Sequence, residues 1–435
     1  MTTDRRRVRD LPQILGELAT GPYPDYIDDV LATTAQMRQR PAWTFPERWL
    51  PMVDIARQPV LVPRLPWRSI SLAVVLLALL LAATALLVGT QPLRPAPPFG
   101  QAGNGLVAFS IDGDIYTADP VTGEARVIIS GPTADSSPRF SLDGGQIVFE
   151  RKVEGVGSEL WIARADGTDV HRVTAEPVTL APGDNGRAWE KYEFSPDGRS
   201  LLLATIRSGL PTIAIAPTDG SAVRWLDIGM TATEPSFRPP DGAEILFVSN
   251  GLYGRGVFAV DPTTQSVREI VEIKPGYDVA GASWSPDGSR VAFWTWGGTG
   301  EGLTARSHVV NADGTGDMEL PMPPDAVWNA HATWSNDGER LFIARGHTPG
   351  FEDVRGVILP ADGSSPGVQV ATAGFVETTC CAAWMWSPDD TLLIGRATGL
   401  QTGEFHHVVI DTQARSPRLT PWRSSSDPTW QRVAP

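Results

Sequence analysis

The sequence predicts a mainly β protein, a seven-bladed β-propeller preceded by a single transmembrane helix and a small α-helical cytoplasmic segment. Three observations predict it: one unit repeats seven times after residue 103, an uncharged apolar run spans Ser69–Gly89, and short stretches with helical spacing precede that run. The predicted domains are residues 1–68 (cytoplasmic helical segment), 69–89 (transmembrane helix), 90–102 (Pro/Gly-rich linker) and 103–435 (propeller). With 42% hydrophobic residues the chain has enough apolar surface for a sizeable core.

The repeated unit begins with an aromatic residue followed by a tight-turn sequence. It reads PRFSLDG, YEFSPDG, PSFRPPDG, ASWSPDG, ATWSNDG and WMWSPDD, and a seventh aromatic stands without the turn in DPTWQRVAP. Two short runs with the alternation of β-strands follow each turn. The spacing of 43 to 54 residues is close to the ~40–50 residues of a four-stranded propeller blade. The seven aromatics are Phe140, Phe194, Phe237, Trp284, Trp334, Trp386 and Trp430.

A second series of residues, seven aspartates, follows the strand pairs. We interpret these aspartates as turn-forming scaffold, because Asp bonds nearby backbone amides in tight turns. They are Asp119, Asp166, Asp219, Asp261, Asp313, Asp362 and Asp411. The first aspartate has no aromatic turn before it, and the last aromatic has no aspartate after it. This offset predicts that the strand of Trp430 is the innermost strand of the blade begun by Gly105–Ser110, which closes the ring. Eight blades is the alternative count.

This unit resembles the TolB-type, WD40-like β-propeller repeat of bacterial envelope proteins, and the resemblance covers Gly103–Pro435. The resemblance implies the propeller fold and leaves the function open, because propellers serve many unrelated tasks. TolB is a soluble periplasmic protein with a separate N-terminal domain, whereas this chain has a predicted membrane anchor. The role of TolB in its envelope system is therefore not carried over.

The distribution of charge predicts the orientation of the membrane span. Arg57, Arg64 and Arg68 precede the apolar run, and Arg94 is the only nearby cation after it. The positive-inside rule then places the N-terminus in the cytoplasm and the propeller outside, on the cell (inner) membrane. A cleaved signal peptide is the alternative, and it fits poorly because 68 residues precede a run of about the ~20 residues that span a bilayer. Whether "outside" is the periplasm or the cell exterior stays open.

The net charge of the chain is −14, but residues 1–68 contain ten Arg against eight Asp and Glu, so the remainder carries −16. An acidic main body repels phosphate backbones, so we expect no nucleic-acid partner. Long connections between the repeats predict a ligand-binding face for a protein, peptide or glycan, with individual aromatics that pack between blades as the alternative. Its candidate residues are Trp189, Tyr277, Asp278, Trp328, His331, Glu377 and Trp384.

The two cysteines of the chain, Cys380 and Cys381, are adjacent in the connection that enters the last complete repeat. Three interpretations are open: a vicinal disulfide in an oxidising compartment, two buried free thiols, or a metal or redox site. The six histidines show no zinc-ligand spacing, so no metal and no cofactor are expected.

The cytoplasmic segment contains RDLPQILGELA and PDYIDDVLATTAQMRQR, two stretches with helical spacing that are too short to bury much surface alone. We therefore expect residues 1–68 to dock on a cytoplasmic regulatory partner or, as the alternative, on the membrane surface through Trp43, Phe45 and Trp49. The arrangement of short helices, single span and outer domain resembles transmembrane anti-sigma factors.

The sequence as a whole is interpreted as a non-enzymatic, membrane-anchored scaffold or signalling sensor with no catalytic residues. The first alternative is an anti-sigma-factor-like regulator. The second is a propeller enzyme, either a hydrolase or lactonase or a quinone-dependent type. The pattern G-x-S-x-G occurs only as GSSPG, Gly363–Gly367, which continues an Asp-Gly turn of the repeat and does not open a helix, so it is not a nucleophile elbow.

Overall fold

The computed structural model describes Leu76 and residues 98–153, 157–174, 178–180, 192–251, 254–298, 304–348, 353–371, 384–396 and 405–434. The chain divides into two units, Met1–Thr90 and Gln91–Pro435. The predicted cytoplasmic helices lie outside the described residues, as does the predicted span Ser69–Gly89 apart from Leu76. In the part of the chain that the structure describes, no helix is long and apolar enough to cross a membrane.

The described residues of the second unit form seven four-stranded antiparallel sheets, which confirms the predicted seven-bladed β-propeller. The first three blades contain β1 (Gly103–Ile111), β2 (Asp114–Ala118) and β3 (Ala125–Ile129); β4 (Asp135–Phe140), β5 (Gln146–Val153), β6 (Gly157–Arg164) and β7 (His171–Arg172); β8 (Tyr192–Phe194), β9 (Ser200–Arg207), β10 (Leu210–Pro217) and β11 (Arg224–Trp225). Blades 4 and 5 contain β12 (Thr233–Phe237), β13 (Ile245–Gly251), β14 (Gly254–Val260) and β15 (Val267–Glu272); β16 (Tyr277–Trp284), β17 (Arg290–Gly297), β18 (Thr304–Asn311) and β19 (Met318–Glu319). Blades 6 and 7 contain β20 (Trp328–Trp334), β21 (Arg340–Gly346), β22 (Val354–Pro360) and β23 (Val368–Ala371); β24 (Met385–Trp386), β25 (Leu392–Arg396), β26 (Phe405–Asp411) and β27 (Ser416–Ser424).

The last strand, β28 (Thr429–Val433), completes the first blade. It pairs antiparallel with β1, with Trp430 opposite Val107, and the strand order in this sheet is β28-β1-β2-β3. The predicted ring closure by the strand of Trp430 is therefore confirmed. Closure leaves no open sheet edge between the first and last blades.

The turn that follows the repeated aromatic has its own hydrogen bonds. After Trp284, the Ser285 hydroxyl donates to Asp287 (2.5 Å) and accepts from the Arg290 amide (2.9 Å). Because the turn satisfies its own polar groups, one short sequence builds it in many blades. The same pair of bonds is found after Phe140, Phe194, Trp334 and Trp386.

The seven aspartates of the second series are turn residues, as interpreted from the sequence. Asp313, for example, accepts from the Thr315 amide at 2.9 Å, and each of the other six likewise accepts from the amide two residues ahead. These bonds are local and solvent-exposed, so the aspartates support the fold of each blade separately.

The repeated aromatics join neighbouring blades. The indole N–H of Trp334 donates to the Ser283 carbonyl of the preceding blade (3.2 Å), and the Arg290 guanidinium lies over its ring at 4.9 Å. Trp386 donates in the same way to Thr333 (3.0 Å). The aromatic is held between two blades. The side chain of the residue directly before it points to the opposite side of the strand, because side chains alternate along a strand.

Candidate active site

A cavity of about 330 Å³ is the candidate active site. It lies on the propeller axis, because the innermost strands of six blades contribute to its wall, and it lies at the end that carries the repeated turns. We call it the channel cavity. Its polar lining residues are Arg139, Glu193, Ser236, Ser283, Asn336 and Arg432, and its aromatic ones are Phe99, Phe140, Phe194, Phe237, Trp284 and Trp334.

Two of the three charged residues of the wall occupy one position of the repeat, the one directly before the aromatic, and the third, Arg432, lies on β28. In blades 2 and 3 this position holds Arg139 and Glu193, two opposite charges in successive repeats. In the other repeats it holds Ser236, Ser283, Thr333, Met385 and Thr429, which carry no charge. The charge is therefore concentrated on one side of the channel.

Glu193 has the electrostatics of an acid–base group. Its carboxylate accepts hydrogen bonds from the Phe237 amide and the Ser236 side chain of the next blade. Removal from bulk water inside the ring of blades raises the pKa of Glu193 to about 7, and these bonds and the charge of Arg139 lower it by less. A carboxyl group with such a pKa both takes up and releases a proton near neutral pH.

Arg432 brings a second guanidinium to the channel cavity from the closing strand. It is nearly buried, donates to the Asn336 side-chain oxygen at 2.8 Å, and donates to the Gly100 carbonyl. Burial lowers the pKa of Arg432, while the negative charge of Asp390 raises it. A guanidinium remains charged at neutral pH, so this side of the cavity is cationic.

Two of the residues predicted to bind a ligand lie at the start of β16. Tyr277 is 41% exposed, and Asp278 forms an ion pair with Arg255. Both are accessible, and neither lines the channel cavity.

Trp328 and Trp384 are buried in one hydrophobic cluster, as the packing alternative expected of aromatics in these connections. The Trp328 indole N–H donates to the Thr348 carbonyl (3.1 Å), and the Trp384 ring lies 4.9 Å from that of Phe342. His331 is also nearly buried, with its ring 4.6 Å from that of Trp294.

The remaining candidates, Trp189, Glu377, Cys380 and Cys381, lie outside the described residues. A ligand-binding role for the whole predicted set stays a prediction, as does the vicinal disulfide. Among the residues that the structure describes, no group of three or more His, Cys, Asp or Glu is arranged to hold a metal ion. The expectations of no metal and no cofactor also stay predictions.

Sequence reasoning missed the residues of the channel cavity. A signal for Arg139 and Glu193 was present, because they are the only charged residues in the column before the aromatic. Asn336 stands where the repeat has Pro, in SNDG, and Asp390 stands where it has Gly, in SPDD. Both departures from the repeat are visible in the sequence, but only the structure brings them into contact.

These features define a seven-bladed β-propeller with a charged axial cavity, and TolB proteins are among the solved structures to which the chain is similar. TolB from Acinetobacter baumannii is 15% identical, with 77% of this chain and 81% of that chain covered and a TM-score of 0.45. Oligogalacturonate lyase from Vibrio parahaemolyticus is 15% identical, with 70% and 87% covered and a TM-score of 0.52. A puromycin hydrolase mutant is 17% identical, with 78% of this chain and 55% of that chain covered and a TM-score of 0.52. No protein-family model and no curated protein sequence matches the chain.

These neighbours overturn the prediction of a non-enzymatic scaffold or sensor. That prediction rested on the absence of a recognisable catalytic pattern in the sequence, yet enzymes share this fold. The physical reason for the error is that a propeller assembles its axial cavity from single residues of many blades, which no contiguous motif records. Glu193 is such a residue.

Proposed function

We propose that the protein is an enzyme that carries out acid–base chemistry on a small acidic substrate in the channel cavity. The observation that carries the proposal is Glu193, a carboxyl group whose pKa of about 7 suits proton transfer at neutral pH. Perturbed carboxyl groups in a cavity are a common property of active sites.

The charges of the cavity favour a substrate that carries a carboxylate. Arg139 and Arg432 both line it, and guanidinium groups bind carboxylates through paired hydrogen bonds. The cavity volume of about 330 Å³ is at the lower end of the ~300–1,000 Å³ of small-molecule sites. One or two sugar-sized rings match this space better than a folded partner does.

The reaction class that uses these groups best is elimination next to a carboxylate. Glu193 in its ionised form removes the proton from the carbon that bears the substrate carboxylate, while a guanidinium offsets the negative charge that develops there. The C–O bond at the adjacent carbon then breaks, a C=C bond forms, and the leaving oxygen receives a proton from water. Glu193 is neutral after the step and returns its proton to water.

The first substrate to test is trigalacturonate, because an oligogalacturonate lyase has the same fold and its substrate is an acidic saccharide. We expect ultraviolet absorbance from an unsaturated product, with a rate that rises as pH increases through about 7. Glu193→Gln should lower kcat by about 10²-fold or more, because it removes the general base. The control is Glu269→Gln, an exposed glutamate on β15 that should leave kcat unchanged. Full activity in Glu193→Gln contradicts the proposal.

The location of this enzyme is a second part of the proposal. The uncharged run Ser69–Gly89 and the excess of Arg before it support a membrane anchor with the propeller on the outer side. The test is protease digestion of intact and lysed spheroplasts, which lack an outer barrier, followed by detection of a C-terminal epitope in the membrane fraction. Loss of the epitope from intact spheroplasts supports this topology, and protection until lysis contradicts it.

A further inference from the structure

The first residues of the propeller unit occupy the turn end of the channel cavity. Pro98, Phe99 and Gly100 form part of the cavity wall together with Glu193. They precede β1, so they are the last residues of the predicted linker. We call Pro98–Gln101 the plug segment.

Both the backbone and a side chain of the plug segment form hydrogen bonds with the propeller. The Arg432 guanidinium donates to the Gly100 carbonyl, and the Gln101 side-chain amide donates to the Asp390 carboxylate at 3.1 Å. Directly after it, the Ala102 amide donates to the Pro388 carbonyl at 2.9 Å. Two of these three bonds involve a charged group, and such bonds are stronger than neutral ones.

One of the residues that bond to the plug segment, Asp390, lies where the repeated turn departs from its own pattern. Asp390 stands where the repeat has glycine and has a φ of +63°, a conformation that favours glycine. The aspartate therefore occupies this position despite an unfavourable backbone conformation. Its carboxylate accepts from the Asn336 amide (2.7 Å) and from the Asp337 amide (2.9 Å) of the neighbouring blade. Asn336, which replaces proline, in turn accepts from Arg432 at 2.8 Å.

We propose that the plug segment is an autoinhibitory element, which blocks the turn end of the channel cavity until it is released from Arg432 and Asp390. The inference rests on the proposed function of the cavity, because it assigns the regulation of that same site. The plug segment continues directly into the linker, so a partner or a force acting on the linker acts on access to Glu193. The two departures from the repeat, Asn336 and Asp390, are the device that holds the plug in place.

The first experiment measures release of the plug segment without reference to activity. Chymotrypsin cleaves after Phe99 only when the plug leaves the cavity, and mass spectrometry of the full-length chain follows the Phe99–Gly100 bond specifically. Asp390→Gly restores the residue of the repeat and suits the positive φ, so the turn should fold. We expect cleavage to become about tenfold faster or more, because proteolysis follows the population of the open form.

The control for this experiment is Thr391→Ala in the same turn, because Thr391 bonds to Asp389 and makes no bond to the plug segment. Asn336→Pro, the second variant that restores the repeat, should resemble Asp390→Gly. Cleavage in both repeat-restoring variants as slow as in Thr391→Ala and the wild type overturns the inference. Rapid cleavage in the wild type also overturns it, because the plug would then be open without any release.

The second experiment separates this inference from the proposed function. With trigalacturonate as the probe, Asp390→Gly should raise kcat/KM, and Asp390→Gly combined with Glu193→Gln should be inactive. Faster cleavage at Phe99 with no turnover in any variant would support the plug segment as a releasable element and contradict the proposed enzymatic function. Turnover that depends on Glu193 but is unchanged by Asp390→Gly would support the proposed enzymatic function and contradict the autoinhibition.

Discussion

Two sets of side chains on the inner strands have opposite roles. Trp328 and Trp384, which a sequence-based interpretation assigns to ligand binding, are buried between blades. Arg139 and Glu193, which that interpretation passes over, line the axial cavity. The difference teaches that position within the repeat decides the role more than residue type does. Trp384, two residues before the repeated aromatic Trp386, packs in the core, whereas Arg139 and Glu193, each one residue before a repeated aromatic, line the cavity.

The strongest test of this comparison is Trp384→Ala. Because the Trp384 side chain is buried against Phe342, we expect a loss of about 3–5 kcal/mol in the free energy of unfolding. Urea denaturation followed by circular dichroism measures it. The matched control is Tyr277→Ala at an exposed member of the same predicted set, which should change stability by less than about 0.5 kcal/mol. Unchanged stability in Trp384→Ala would return that residue to the candidates for ligand binding.

A second test adds an atom instead of removing a ring. A Cβ on Gly346 would lie 1.9 Å from the Trp328 ring, so Gly346→Ala should push the indole out of its place and cost about 2–3 kcal/mol. Gly131→Ala is the control, since a Cβ there has no heavy atom within 4 Å. Thermal melts of the two variants should differ clearly. Equal melting temperatures would mean that Trp328 is not packed as tightly as described.

The other side of the comparison is tested by the pH dependence of stability. The pKa of Glu193 is raised from 4.5 to about 7 on folding, so its contribution is fully present below pH 4.5 and is lost as pH rises through about 7. Wild-type stability should therefore fall relative to Glu193→Gln by about 1–3 kcal/mol between pH 4.5 and 8. Glu269→Gln, at an exposed site, should follow the wild type. A constant difference between wild type and Glu193→Gln across this range would show that burial does not perturb the carboxyl group.

The smallest effect is expected at the repeated turn aspartates. Asp313→Ala removes exposed hydrogen bonds to Thr315 and should lower stability by less than any of the changes above. Denaturant midpoints measure the change, and trigalacturonate turnover should be unaffected. A large loss of turnover with unchanged stability would show that these aspartates contribute to the active site and not only to the turns.

Much of the fold was predictable because each blade is specified locally. The Ser-Pro-Asp-Gly turn makes its hydrogen bonds within about six residues, so the same short sequence predicts the same turn in each repeat. Ring closure was predictable for the same reason. Asp119 has no repeated aromatic before it and Trp430 has no turn aspartate after it, so the two residues complete one repeat. The candidate site was not, because the contact between Asn336 and Arg432 spans 96 residues and the pKa of Glu193 depends on the blades around it.

The pairing of β28 with β1 has a consequence for the order in which the protein is made. On the ribosome the first blade emerges first, yet its innermost strand is synthesised only after the six later blades. Throughout translation β1 therefore presents an unpaired edge, while the six later blades can complete their own sheets as they emerge. We expect the nascent chain to be most prone to aggregation just before Thr429–Val433 appears, and a ribosome stalled at that point to hold a propeller that is nearly complete and still open.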